Sequence, residues 1–371
     1  DYHKNMKDYL FAKLILFKKI LKKNSTMITD SEIKQYSVLK NIQKKRKLKL
    51  ITIGNLGNSF KILNHKIFND FQLIKLKHNR KVYNLKIKLY GSIQIKNLLM
   101  AILACTTCGL KFEKVLGVLN KIKSVNGRLE LVRNLPNGSK IFLDYAHTPE
   151  ALRNAIISLE EHFNKKITVL FGCGGERDKP KRKLMGKIAD ELCNKIIITD
   201  DNPRNENPKK IRTEIIKKIH KNKVIEIPDR KKAINYALQN SDPYEIILIS
   251  GRGHETYQDL GKRKIFLSDK KIINNLYLKK ISYKKNSLRY NSQIIKKTLK
   301  INKDIPFQGV SINSKNLKDK SLFVAIKGQN KDGHNFSEEA IKRGASFCIV
   351  SKNFKNSKKF IKVKNTLSFL N

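Results

Sequence analysis

From Asn126 onward the chain alternates short β-branched apolar runs with amphipathic stretches. The runs are IFLD (141–144), ITVLF (167–171), KIIIT (195–199), KVIEI (223–227) and EIILIS (245–250). They are too short for helices and apolar on successive positions, the pattern of strands buried on both faces. Helical stretches start between them near Pro149, Arg182, Pro208 and Asp229. This alternation predicts an α/β fold, a mainly parallel sheet covered by helices. Residues 1–125 read differently: a Lys-rich helical stretch (9–23), a strand-and-turn region, and a core helix that begins after Gly91 in YGSIQIKNLLMAILACTTCGL. After the polar linker SYKKNS (282–287) comes a smaller α/β unit, with a strand and polar loop in SLFVAIKGQNKDGHNF, a helix in FSEEAIKRGA and a strand in SFCIVS. Three domains are therefore expected, at 1–125, 126–281 and 282–371.

Composition changes this picture little. The 371 residues hold 79 Lys and Arg against 31 Asp and Glu, a formal charge of +48. Such a balance raises a basic nucleic-acid-binding protein as the alternative reading. The lysines are spread along the whole chain rather than gathered on one tail or face, and no RNA-binding aromatic signature or zinc-finger spacing accompanies them, so no nucleic-acid partner is expected. Five cysteines, an odd number and four of them within apolar segments, read as reduced and mostly buried, as in a cytoplasmic protein. Cys105 and Cys108 form a CxxC inside the core-helix pattern, and no second pair or nearby His completes a metal site. No apolar run reaches the length of a membrane span.

Chemistry concentrates in the loops. In an open α/β sheet, ligands bind outside the carboxyl ends of the strands. Four of the five runs are followed at once by polar loops: DYAHTPEAL (144–152), GCGGERDKPKR (172–182), DDNPRNENP (200–208) and GRGHETYQ (251–258). Local structure explains part of each. Thr148, Pro149 and Glu150 make a helix start, and Pro203 and Pro208 account for a turn and another start. Asp144, His147, Arg177, Asn202, Arg204, His254 and Glu255 are left over. Strand direction alone would set all four loops on one edge, which makes them a candidate site.

Together GRLE (127–130), LDYAHTPEAL, FGCGGERDKPKRKLMG, TDDNPR and SGRGHETYQ, in this order and spacing, resemble the carboxy-terminal domain of the Mur ligases, the amide-forming enzymes of peptidoglycan synthesis. DYHKNMKDYLFAK resembles the segment of the family's central ATPase domain that ends in a carbamylated lysine, here Lys13. GSIQIKN resembles its adenine-contacting motif, with Asn97. The resemblance covers residues 1 to about 281 and implies a partial central ATPase domain and a Rossmann-like carboxy-terminal ligase domain. It further implies that ATP phosphorylates the D-Glu carboxylate of UDP-MurNAc-L-Ala-D-Glu, and that the amine of meso-diaminopimelate attacks the acyl phosphate. Arg128, Asp144 and His147 would contact ATP, with Asp144 accepting from the ribose. Arg177, Asn202, Arg204, Gly251 and Glu255 would hold the meso-diaminopimelate. Magnesium would be met in this chain only through the carbamylated Lys13. Family members that add lysine usually lack an Arg at the position of Arg204, since lysine has no distal carboxylate.

The pattern also departs from the family. No GxxxxGK[ST] phosphate loop occurs; GNLGNSFK (54–61) only echoes it, at the wrong place. With the amino-terminal uridine-binding domain and a metal-binding His also missing, a chain cut upstream of Asp1 and inactive in ligation by itself is expected. The tail, SINSKNLKDKSLFVAIKGQNKDGHNF (311–336), resembles the uridine-binding domain that opens Mur ligases, with Asn313, Ser314 and Lys315 where the family usually shows Asp-Ser-Arg. It suggests the start of a second ligase, of the kind that adds D-Ala-D-Ala, fused behind the first.

Overall fold

The computed structural model describes residues 5–276 and, within 307–369, all but 308, 315–316, 318–319, 329–331, 355–358 and 368. The chain divides into two compact units, Asp1–Leu276 and Tyr277–Asn371.

The first unit contains two main sheets. It opens with α1 (Met6–Ile15), capped by the Asn5 side chain and continued by a π-helical turn (Leu16–Ile20). Strand β1 (Thr26–Asp30), helix α2 (Tyr36–Arg46) and strand β2 (Lys49–Gly54) follow, with β1 and β2 parallel. Then β3 (Phe60–Phe68), β4 (Phe71–His78) and β5 (Lys81–Ile87) form an antiparallel meander. Its second turn places Asn79 and Arg80 both at positive φ, the backbone of a tight two-residue hairpin. Helix α3 (Ser92–Thr107) lies on this sheet. Its Ile95, Leu98, Leu99, Ile102 and Leu103 recur at helical spacing and meet Ile53, Phe60, Ile74, Leu76, Leu85 and Ile87 in one core. The CxxC expected to lie in this packing does not: Cys105 is only half-buried and Cys108 is exposed at the C-cap of α3, whereas Cys173, Cys193 and Cys348 are buried. A short α4 (Phe112–Leu116) leads to the second sheet.

That sheet runs β10-β9-β8-β11-β7-β6. The five apolar runs become β7 (Lys140–Asp144), β8 (Thr168–Phe171), β9 (Lys195–Ile198), β10 (Val224–Glu226) and β11 (Ile246–Ser250), all parallel. The antiparallel edge strand β6 (Glu130–Asn134), only partly buried, has no comparable apolar run and went unforeseen. Helices α5 (Pro149–Phe163), α6 (Pro180–Leu192), α7 (Pro208–Ile216) and α8 (Arg230–Gln239) cover it, and three carry the caps that their sequences promise. Thr148 accepts from Ala151 N, Asn207 from Lys209 N and Lys210 N, and Asp229 from Lys232 N. Helix α6 starts two residues before the expected Arg182, because Pro180 is favourable at a first helical position. A small hairpin, β12 (Tyr257–Asp259) and β13 (Lys264–Phe266), and helix α9 (Asp269–Asn275) close the unit.

The second unit is a parallel sheet of β14 (Gly309–Ser311), β15 (Ser321–Val324), β16 (Phe347–Val350) and β17 (Phe360–Lys362), with helix α10 (Ser337–Lys342). The strand–helix–strand order read from 321–351 is the order observed. Leu322, Val324 and Ile349 pack in one cluster and Phe323, Cys348 and Val350 in another, as period-two alternation requires.

Candidate functional site

Because β9, β8, β11 and β7 are parallel neighbours, the loops that leave them stand side by side on one edge. The chain passes from β7 to β8 and only later inserts β11 between them, and such a switch in strand order opens a crevice at the carboxyl ends.

The loop after β9 is the centre. Asn202 is buried, and its carboxamide has a fixed orientation. Its Oδ1 accepts from Asp259 N at 2.8 Å and from Arg252 Nη1 at 3.3 Å, so its Nδ2 is turned to Glu255, donating to Oε2 at 3.0 Å. Arg204 sits at φ +52 and donates through Nη1 to Gly175 O at 2.7 Å. Asp200 leaves the site to pair with Arg212 on α7. Asp201 stays beneath it. Burial pushes its carboxyl up, against the pull of Arg230 and Arg252. Gly251, at φ +110, passes over it so closely that a Cβ there would meet Asp201 Oδ2 at 2.7 Å.

Tyr145 ties the neighbouring loops together. Its hydroxyl donates to Glu255 Oε1 at 3.4 Å, and its ring contacts those of His147 and His254. The Arg128 guanidinium lies 4.7 Å over the same ring, a cation–π contact. Burial and the Glu255 charge push the phenol up. Asp144 is buried, with Oδ1 accepting from Ala146 N and Oδ2 from Leu129 N, each at 2.8 Å. Burial still pushes this carboxyl up, and its two bonds join the GRLE turn to the β7 loop. Tyr145 was not singled out in the sequence, although it lies between two residues that were.

Under these loops runs a buried charge network. Arg230 grips Asp269 through Nε and Nη2, and both side chains are fully buried. Arg252, also fully buried, spans the hairpin by donating to Tyr257 O at 2.9 Å and Leu267 O at 2.8 Å. Burial, with Arg230 beside it, pulls Arg252 down. Arg182 on α6 binds Glu206 through two parallel bonds at 2.7 Å and Glu214 at 2.9 Å, and Glu206 Oε2 also accepts Glu176 N. This joins the 172–182 loop to the 200–208 loop. The Arg182 hydrogen bonds hold Glu206 at about 2, below its ordinary 4.5. A depressed carboxyl contributes stability that is complete above pH 4.5 and is lost as pH falls towards 2. Acid unfolding followed by circular dichroism should therefore show a slope across that window, and Glu206→Gln should flatten it.

The remaining expected residues are dispersed. Arg177 is exposed on the 172–182 loop. Asn97 is exposed on α3, one residue after Lys96, which pairs with Asp30 and Glu32. On the same helix Gln94 donates to Arg128 O at 3.4 Å. Lys13 is exposed on α1 and lines a cleft of about 510 Å³ with Tyr9, Phe17, Gln35 and Glu150, the last from the first turn of α5. Neither Lys13 nor Asn97 takes part in the bonded cluster around Asn202. In the second unit Asn313 is exposed and Ser314 buried, while Lys315 lies outside the described residues. Among the described residues no three His, Cys, Asp or Glu side chains gather as a metal site, and no helix is long and apolar enough to cross a membrane.

Three family models match: "Mur ligase middle domain" over residues 1–105, "Mur ligase, glutamate ligase domain" over 127–253 and "Mur ligase family, catalytic domain" over 306–367. The UDP-N-acetylmuramoyl-L-alanyl-D-glutamate--2,6-diaminopimelate ligase of Rickettsia prowazekii is 41% identical over 77% of this chain and 59% of its own length. That of Zymomonas mobilis is 38% identical over 71% and 54%. The chain thus spans little more than half the length of these relatives. A solved ligase of the same name aligns at 26% identity with a TM-score of 0.51, over 74% of this chain and 56% of its own. Folylpolyglutamate synthase from Mycobacterium tuberculosis, solved with ADP and AMPPCP, aligns at 17% with a TM-score of 0.55, over 68% and 58%, and shares the α/β fold.

Proposed function

Because the chain belongs to the Mur ligase family, we propose that it forms part of an ATP-dependent amide ligase that adds meso-diaminopimelate to UDP-MurNAc-L-Ala-D-Glu. The observation that carries this reading is the bonded set Asn202–Glu255, with Arg204 two residues along the same loop. Meso-diaminopimelate bears an ammonium and a carboxylate at its far end. Glu255 and the Gly251 carbonyl suit the ammonium. Arg204 and Arg177 suit the carboxylate, with Asn202 two residues from Arg204 on the same loop. Arg128, His147 and Asp144 would contact the nucleotide, and Asn97 its base. ATP transfers its γ-phosphoryl to the D-Glu carboxylate, releasing ADP. The neutral near-end amine, having lost its proton, then attacks the acyl carbon, and phosphate leaves as the amide forms. The described residues do not by themselves form a magnesium site. Lys13 would offer a metal-holding oxygen only once carbamylated.

The match over 306–367 is to the same family, and we propose further, on the resemblance of 311–336 alone, that the second unit is the opening module of a D-Ala-D-Ala-adding ligase fused behind the first, with Asn313, Ser314 and Lys315 near its UDP-sugar. The domain limits 1–125, 126–281 and 282–371 belong to the same proposal.

Equilibrium dialysis of radiolabelled meso-diaminopimelate and L-lysine against the full chain tests the reading. Meso-diaminopimelate should bind at least about tenfold tighter, the worth of a hydrogen-bonded charge pair, and Arg204→Met should erase the difference. Equal binding of lysine by the unaltered chain would overturn it.

A further inference from the structure

We propose that Asp259 is a specificity-determining residue, an internal carboxylate that competes with the substrate's distal carboxylate for Arg204. This inference rests on the reading of Arg204 just given. Asp259 ends β12, and its backbone is locked to the selector loop on both sides: its N–H donates to Asn202 Oδ1, and its carbonyl accepts from Arg204 N at 3.1 Å. Within the side chain, Oδ1 accepts from Gly261 N at 3.0 Å. Oδ2 is thereby held 3.7 Å from Arg204 Nε.

A guanidinium binds a carboxylate best through two parallel N–H groups along one edge. Nη1 of Arg204 already donates to Gly175 O. The edge left for a ligand is Nε with Nη2, and Asp259 Oδ2 faces the Nε end of it. At 3.7 Å that contact is charge attraction and not a hydrogen bond. Both side chains are partly exposed, 22% for Arg204 and 29% for Asp259, so the pair is weak enough for a ligand to displace. The displaced carboxylate stays in place through Gly261 and the backbone, where it repels the ligand's carboxylate and attracts a bare ammonium. Asp259 therefore narrows the preference for a carboxylate-ended amino acid over lysine.

Asp259→Asn removes the charge and keeps an acceptor for Gly261 N. In equilibrium dialysis with the full chain, it should tighten meso-diaminopimelate about two- to fivefold, the range of one partly exposed ion pair, without tightening L-lysine. Asp259→Ser should act in the same direction, and either change should tighten binding less in an Arg204→Met background, where only the direct repulsion remains to be relieved. Unchanged or weaker meso-diaminopimelate binding by both folded variants, with the unaltered chain still preferring meso-diaminopimelate over lysine, would overturn the role of Asp259 alone. No preference in the unaltered chain would overturn the reading of Arg204, and the inference with it.

Discussion

Asp269→Ala is expected to destabilise the 1–276 unit by about 3–5 kcal/mol, the usual cost of removing one partner from a buried ion pair. Asp269 is fully buried and receives three hydrogen bonds from Arg230. Arg252 Nε lies 3.9 Å from the same carboxylate. Its removal would leave two buried guanidinium groups close together with Asp201 and Glu255 as the anions acting on both, and the Asp201 carboxyl is itself pushed up by burial. Urea unfolding should show a lower midpoint for Asp269→Ala. Substitution of both Arg230 and Asp269 by Met should recover part of the loss, since well-packed apolar side chains can replace a buried pair. A midpoint unchanged in Asp269→Ala would mean that the network carries no stability.

Gly175→Ala is expected to cost less stability but to disable the selector loop. An added Cβ would stand 1.9 Å from Pro203 O, which is backbone and cannot swing away. Gly175 N also donates to Asn202 O at 2.9 Å, and its carbonyl anchors Arg204. The two loops must therefore part, and a displacement on the order of 1 Å at a positioning group costs about a hundredfold in rate. Under the proposed function, the expected outcome is loss of measurable meso-diaminopimelate binding, with a stability loss of about 1–3 kcal/mol for the overpacked contact. A variant that binds as tightly as the unaltered chain would show that the close approach is not needed.

Much of this was legible in the sequence, for a physical reason. The buried strands of a parallel sheet need apolar residues on both faces, so β7, β8, β9, β10 and β11 announce themselves, and their common direction gathers Asn202, Arg204, Gly251 and Glu255 on one edge. Strands β12 and β13, three residues each, are too short and polar to carry a period. Hence Asp259, which helps orient Asn202, had no sequence signal, and Arg252, though inside GRGHETYQ, gave no hint that it clamps the hairpin. Asp269 stands out in no motif, and only the fold shows that it neutralises Arg230 from 39 positions away. Lys13 and Asn97 came from resemblance alone, and the bonds around Asn202 do not include them.

Tyr145 gives the two halves of the site a common part. One phenol carries Arg128 on its face and Glu255 at its hydroxyl. Under the proposed function, a nucleotide that drew Arg128 away would uncover the ring whose hydroxyl meets Glu255. The nucleotide and the amino acid would then be thermodynamically linked, each altering the affinity of the other by the same factor.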